Sequence, residues 1–205
     1  TTTITWIVTD IHGNINTCTQ DVIITDDENP TIICSANITQ TADAGVCDAA
    51  VIVPAPVTGD NCAVATVINN YNGTASANDT YPVGTTTITW TVTDIHGNTN
   101  TCTQDVTITD NELPLITCPA NIVVPNDPGV CGALTTYLTP VGIDNCPGST
   151  TTMIAGLPTG SVFPVGNTTV TYVVTDPSLN SSSCSFDVQV DDIEIPTLVC
   201  PGNVV

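Results

Sequence analysis

The chain contains no lysine and no arginine among its 205 residues, against 20 acidic groups, for a formal net charge of -20 at pH 7. A surface without fixed cations cannot neutralise phosphates, which excludes DNA and RNA as partners. It also argues against docking on anionic lipid headgroups. Self-repulsion at this charge must be screened, and divalent cations are the obvious counterions. Aromatics are scarce, with two Trp, four Tyr and two Phe. A core built on Val, Ala and Ile stabilises a domain of about 80 residues only marginally, so covalent staples are useful. There is no apolar run of the ~18 residues that a membrane-spanning helix needs. No Cys-x2-Cys pair occurs and only His12 and His96 offer imidazole, which argues against zinc. A start of Thr1-Thr2-Thr3-Ile4 lacks a signal-peptide pattern, so a secretion signal is expected upstream.

What is present is a repeat. Residues 1–26 and 85–110 are offset by 84, with 23 of 26 positions identical. Cys18, Cys34, Cys47 and Cys62 recur 84 residues later as Cys102, Cys118, Cys131 and Cys146, and Cys102 and Cys118 recur 82 later as Cys184 and Cys200. Ten regularly spaced cysteines point to disulfides and an oxidising compartment.

Within each repeat the apolar pattern has period two. Ile88, Trp90 and Val92 alternate with threonines, Val170, Tyr172 and Val174 repeat the pattern with Val173 in one of the intervening places, and Val106 with Ile108, and Phe186, Val188 and Val190, alternate with polar residues. This is the pattern of half-buried strands, and the abundant Thr favours them further. Turn signals such as Gly97-Asn98, Asp43-Ala44-Gly45 and Asp127-Pro128-Gly129 separate the runs. The predicted fold is all-β: tandem immunoglobulin-like β-sandwich domains stapled by disulfides, arranged as beads on a string.

The motifs also resemble a family, the hyalin repeat (HYR) module. They are Cys118-Pro119-Ala120-Asn121-Ile122, Gly129-Val130-Cys131, Asp144-Asn145-Cys146, Phe163-Pro164-Val165-Gly166, Val174-Thr175-Asp176 and Cys184-Ser185-Phe186. The earlier repeat departs at Ser35, Tyr81 and Gln104, and the later one has Leu179 where the last turn otherwise carries Gly. Framed this way, residues 27–110 and 111–192 are complete repeats. Residues 1–26 read as the C-terminal strands of a preceding repeat and 193–205 as the first strand of a following one. The chain is expected to be a window on a longer array.

Four cysteines per repeat allow three connectivities, and spacing alone does not choose among them. The resemblance implies Cys34–Cys102 with Cys47–Cys62, then Cys118–Cys184 with Cys131–Cys146. Cys18 and Cys200 would then have partners outside this stretch. Reactive thiols are the alternative, but their activation needs a nearby cation and no Lys or Arg exists.

Acidic residues concentrate between repeats. Asp26-Asp27-Glu28-Asn29-Pro30, Asp110-Asn111-Glu112-Leu113-Pro114 and Asp191-Asp192-Ile193-Glu194-Ile195-Pro196 hold eight of the 20 acidic groups and every Glu. In a sandwich of this topology Asp60 and Asp94 should approach the first run, and Asp144 and Asp176 the second. Asp26, Asp27, Glu28, Asp60, Asp94, Asp110, Glu112, Asp144, Asp176, Asp191, Asp192 and Glu194 are therefore candidate calcium ligands, since calcium takes six to eight oxygens. The calcium-stiffened junctions of cadherins are a similar arrangement, by analogy only. Solvated acidic linkers remain an open alternative, as does another metal.

No nucleophile motif of the G-x-S-x-G kind accompanies Asp94-Ile95-His96 or Asp10-Ile11-His12. Ser178 replaces the His in the later repeat, so both His read as turn residues and no catalysis is expected. Trp6, Trp90 and Tyr172 share an inward-facing strand position and read as core. Sequons at Asn37, Asn72, Asn78, Asn167 and Asn180 permit glycans and show little more. The expected function is a structural repeat segment of an extracellular fibre, matrix or surface protein. Its partners would be further repeats of the same chain or identical chains, with glycans as possible additions. A cell-surface adhesin that binds glycan or protein, and a spacer stalk carrying a functional head elsewhere, are the alternatives.

Overall fold

The computed structural model describes residues 1–200 and 202. Among these there are sixteen strands and no helix. The first eight are β1 (Thr2–Thr9), β2 (Ile15–Val22), β3 (Thr31–Ile33), β4 (Ile38–Thr41), β5 (Asp48–Val51), β6 (Val57–Gly59), β7 (Val64–Asn69) and β8 (Asp79–Pro82). They are followed by β9 (Gly84–Asp94), β10 (Thr99–Thr109), β11 (Ile122–Pro125), β12 (Gly132–Thr135), β13 (Thr150–Ala155), β14 (Ser161–Pro164), β15 (Gly166–Thr175) and β16 (Ser181–Asp191). The immunoglobulin-like, all-β architecture read from period-two patterning is therefore what the chain adopts.

Each repeat has one four-stranded sheet, ordered β4-β10-β9-β7 and β11-β16-β15-β13, and short two-stranded ladders besides. Those ladders are β3-β6 and β5-β8 in the earlier repeat and β12-β14 in the later one. Strand β11 joins β16 in parallel, whereas β13 and β15 run antiparallel with a bulge between Met153 and Ala155.

By contact density the chain forms two compact units. The first holds Thr1–Ile38, Val51–Asp79 and Thr86–Val106; the second holds Thr39–Ala50, Thr80–Thr85 and Thr107 onward. In the first, Ile88, Trp90, Val92 and Val106 are fully buried. Gln104 stands where the family carries Phe and is 1% exposed; its Nε2 donates to the Ala36 carbonyl at 2.8 Å. The β1–β2 hairpin belongs to the same unit, yet every one of its residues is exposed.

In the second unit Phe163, Val170, Val188 and Val190 pack with Ala133, Tyr172 and Phe186. The Tyr137 ring meets Phe186 edge-on at 4.9 Å. Its hydroxyl donates to the Leu157 carbonyl at 2.7 Å and lies 3.2 Å from the Tyr172 hydroxyl. Burial first, and then the Tyr172 hydroxyl, push the Tyr137 phenol well above its ordinary range. Each large apolar side chain buried this way contributes about 1.5–3 kcal/mol.

Candidate functional site

Each acidic run contains Asp-x-Glu-x-Pro, and the structure gives that spacing a local cause. The Asp carboxylate accepts the backbone N–H of the Glu two residues on: Asp26 from Glu28 at 3.2 Å, Asp110 from Glu112 at 3.1 Å and Asp192 from Glu194 at 3.1 Å. Such Asx turns fix the chain direction and engage one carboxylate oxygen.

In the first unit Asp26, Asp60 and Asp94 each place one oxygen within 4.8 Å of the others. Asp94 ends β9 and organises the turn that follows. Its Oδ1 accepts the backbone N–H groups of His96, Gly97 and Asn98 at 2.8, 2.6 and 2.9 Å, and its Oδ2 accepts Asn98 Nδ2 at 2.8 Å. Burial pushes the Asp94 carboxyl up, but the hydrogen bonds from Asn98, His96 and Gly97 outweigh it and hold it below its ordinary value. Asn98 Nδ2 also donates to the Asp26 carbonyl at 3.2 Å, tying the acidic run to the turn. Asp60 spends Oδ2 on the N–H groups of Cys62 and Ala63, at 2.8 and 2.9 Å.

The second unit repeats the arrangement in part, and Asp176 is not among the residues grouped there. Asp110 and Asp144 lie together, with Cys146 beside them. Asp144 Oδ2 accepts the Cys146 N–H at 2.9 Å. Asn180 Nδ2 donates to the Asp110 carbonyl at 3.1 Å and to Asp176 Oδ2 at 2.8 Å. Both contacts use the amide of the Asn180 sequon.

Six buried side-chain polar atoms lack a hydrogen-bond partner among the described residues, and four are oxygens of these loops: Asp60 Oδ1, Asp110 Oδ2, Asp144 Oδ1 and Asn145 Oδ1. Asp110 is only 7% exposed. A buried carboxylate oxygen with no donor is costly, and no Lys or Arg exists to neutralise it. The donor set is therefore oxygen-rich and fits a hard divalent cation such as calcium. A thiolate is not common to the two clusters: Cys62 stands beside Asp26 and His96, whereas the Cys146 sulfur is in a disulfide.

His96 lies in its turn, as its spacing suggests. Its Nδ1 is also 3.1 Å from Asp26 Oδ2, a contact the sequence did not indicate. The Cys62 thiol first, with the Glu28 N–H and His96, holds the Asp26 carboxyl below its ordinary value despite burial. Two of the Glu candidates also make long-range backbone contacts. Glu112 accepts the Gly45 N–H at 2.8 Å and Glu194 accepts the Gly129 N–H at 2.6 Å. Each commits one oxygen to the turn before a cysteine. Asp191 accepts from Gln189 at 3.0 Å, and Asp27 is exposed.

The disulfides require a correction. Cys34–Cys102 and Cys118–Cys184 are closed. The implied pairs Cys47–Cys62 and Cys131–Cys146 are not formed. Cys47 is bonded to Cys146 across 99 residues, and Cys62 and Cys131 are exposed thiols. The physical reason is a long-range contact: Asn145 Nδ2 donates to the Val46 carbonyl at 2.9 Å, beside the Cys47–Cys146 bond. Sequence spacing weights neighbours in the chain and carries no sign of this approach.

The chain is similar in sequence to known proteins along its whole length. The chain is 37% identical over 215 residues to hyalin of Strongylocentrotus purpuratus, covering 100% of this chain and 18% of that protein. It is 32% identical over 209 residues to hyalin of Lytechinus variegatus, covering 98% and 39%. The chain thus spans well under half the length of these relatives. Among solved structures, mouse cadherin-23 EC22-24 aligns over 93% of this chain and 74% of that one, at 11% identity and a TM-score of 0.41. Residues 25–108 and 109–190 both match the HYR domain, and the chain belongs to that family.

Proposed function

We propose that this chain is a structural repeat segment of an extracellular fibre, matrix or surface protein, and that calcium stiffens it at its carboxylate clusters. The observation that carries the reading is the buried Asp110 oxygen without a donor, beside the equally unpartnered Asp144 oxygen. The recurrence of the same free oxygen at Asp60, 84 residues earlier, supports a device built into the repeat. Three disulfides favour an oxidising, extracellular setting. Kinship with hyalins and with the HYR domain favours an adhesive or structural role over catalysis. The partners in this reading are further repeats, in the same chain or in identical ones.

Isothermal titration of chelator-treated protein with calcium chloride tests the proposal. Saturable binding, lost in the double variant Asp60→Asn, Asp144→Asn, is the expected result. Absence of bound calcium at millimolar concentration would overturn it.

A further inference from the structure

The bond between Cys47 and Cys146 is a statement about repeats. On the 84-residue ruler Cys146 occupies the place of Cys62 one repeat later, and Cys131 occupies the place of Cys47. The bond therefore joins the 47-type cysteine of one repeat to the 62-type cysteine of the next. The two cysteines left as thiols at those positions are Cys62 and Cys131. We infer that this is the recurring covalent link of the array, with Cys62 bonded to a preceding repeat and Cys131 to a following one.

Both halves of the link exist in duplicate. The socket is a turn. At Cys47, Asp43 N–H donates to the Asp48 carbonyl at 2.8 Å, Val46 N–H to the Asp43 carbonyl at 3.2 Å, and Ala50 N–H to Asp43 Oδ2 at 3.0 Å. At Cys131 the corresponding bonds are Asp127 to Gly132 at 2.7 Å, Val130 to Asp127 at 3.0 Å, and Leu134 to Asp127 Oδ2 at 2.8 Å. Both turns are clasped by a junction Glu, Glu112 on Gly45 and Glu194 on Gly129. The plug is the Asp-Asn-Cys loop, held in the same Asx turn at Asp60 and Asp144.

In the closed link, Asn145 caps the Val46 carbonyl. At the open socket, Val130, Cys131 and Glu194 line a cleft of roughly 500 Å³. The Val130 carbonyl accepts one bond there, from Asn126 Nδ2 at 3.1 Å. A carbonyl oxygen has two lone pairs, so it retains the capacity to accept an incoming Asn. The occupant that fits is the Asp-Asn-Cys loop of another repeat.

Each link forms from two thiols that lose two protons and two electrons. Thiol–disulfide exchange with an oxidised dithiol partner of the secretory route supplies the balance, that partner being reduced to its dithiol form.

Peptide mapping without reduction tests the inference. The chain offers trypsin no cleavage site, and pepsin at acid pH also suppresses exchange, because the thiolate is the attacking species. After maleimide blocking, the 205-residue chain should yield one cross-linked pair containing Cys47 and Cys146, with label on Cys62 and Cys131. In Cys47→Ser, the added label should appear on Cys146 and leave Cys62 as before. Recovery of Cys47 linked to Cys62, or of Cys131 linked to Cys146, overturns the inference. In longer protein carrying flanking repeats, Cys62 and Cys131 should resist labelling and appear in cross-links to neighbouring repeats. Labelled Cys62 and Cys131 in that material would equally overturn it. The calcium reading stands apart from these outcomes, since it rests on the carboxylate oxygens.

Discussion

Replacing Asp144 by Asn should change the sign of its effect on stability according to whether calcium is present. Asp144 and Asp110 offer oxygens within 4.8 Å of each other, and neither of their free oxygens has a donor. Two unit charges at that separation repel by roughly 1–3 kcal/mol for an effective dielectric between water and 20. Asn keeps an oxygen for the Cys146 N–H and removes the charge, so in chelator the variant should melt higher than wild type. With calcium the order should invert. For an extracellular-type site with a dissociation constant of about 0.1 mM, 10 mM calcium stabilises the folded chain by about 2.7 kcal/mol. In a chain of this size that raises the melting temperature by about 5–10 °C. Differential scanning calorimetry of both proteins, in EDTA, in calcium and in magnesium as a control, reads the crossing directly. Equal calcium-induced shifts in the two proteins, or no shift in either, would refute the reasoning.

Four further outcomes are expected. Cys118→Ser should destabilise the chain by about 4 kcal/mol, because its bond closes 66 residues and restricts the unfolded state, as read by chemical denaturation. Gly156→Ala should cost at least about 2 kcal/mol in the same assay, since φ is +89° and a Cβ would sit 2.8 Å from the Thr169 carbonyl oxygen and Val170 Cα. The depressed Asp94 carboxyl contributes stability that is fully present above its unfolded value of 3.8 and is lost as pH falls through the lower folded value. The gap in melting temperature between wild type and Asp94→Asn in chelator should therefore persist at pH 5 and close below pH 3.8. Finally, acrylamide should quench Trp6, 59% exposed, and spare Trp90, 0% exposed, so that Trp6→Phe removes the quenchable fluorescence of this chain.

How much of the site was legible follows from where each interaction lives. The Asp-x-Glu-x-Pro runs and the turn residues Asp94 and Asp176 act through hydrogen bonds spanning two to four positions, so spacing alone exposed them. The meeting of Asp26 with Asp60 and Asp94 needed only the expected sandwich topology. The clasp of Glu112 on Gly45 spans 67 residues and has no local signature, so spacing did not show it.

The sequence by itself determined the strands and the turns between them. Residues 1–26 and 85–110 differ at three positions, and Trp6 sits opposite Cys18 just as Tyr172 sits opposite Cys184. Side-chain alternation and turn chemistry act within a hairpin and need no other partner. Burial and bonding were decided only by tertiary structure. The same tryptophan is exposed at position 6 and enclosed at position 90, and the same Asp-Asn-Cys loop is a thiol at Cys62 and a bridge at Cys146. Both differences depend on which distant segment lies against an otherwise identical stretch, and that information is not local.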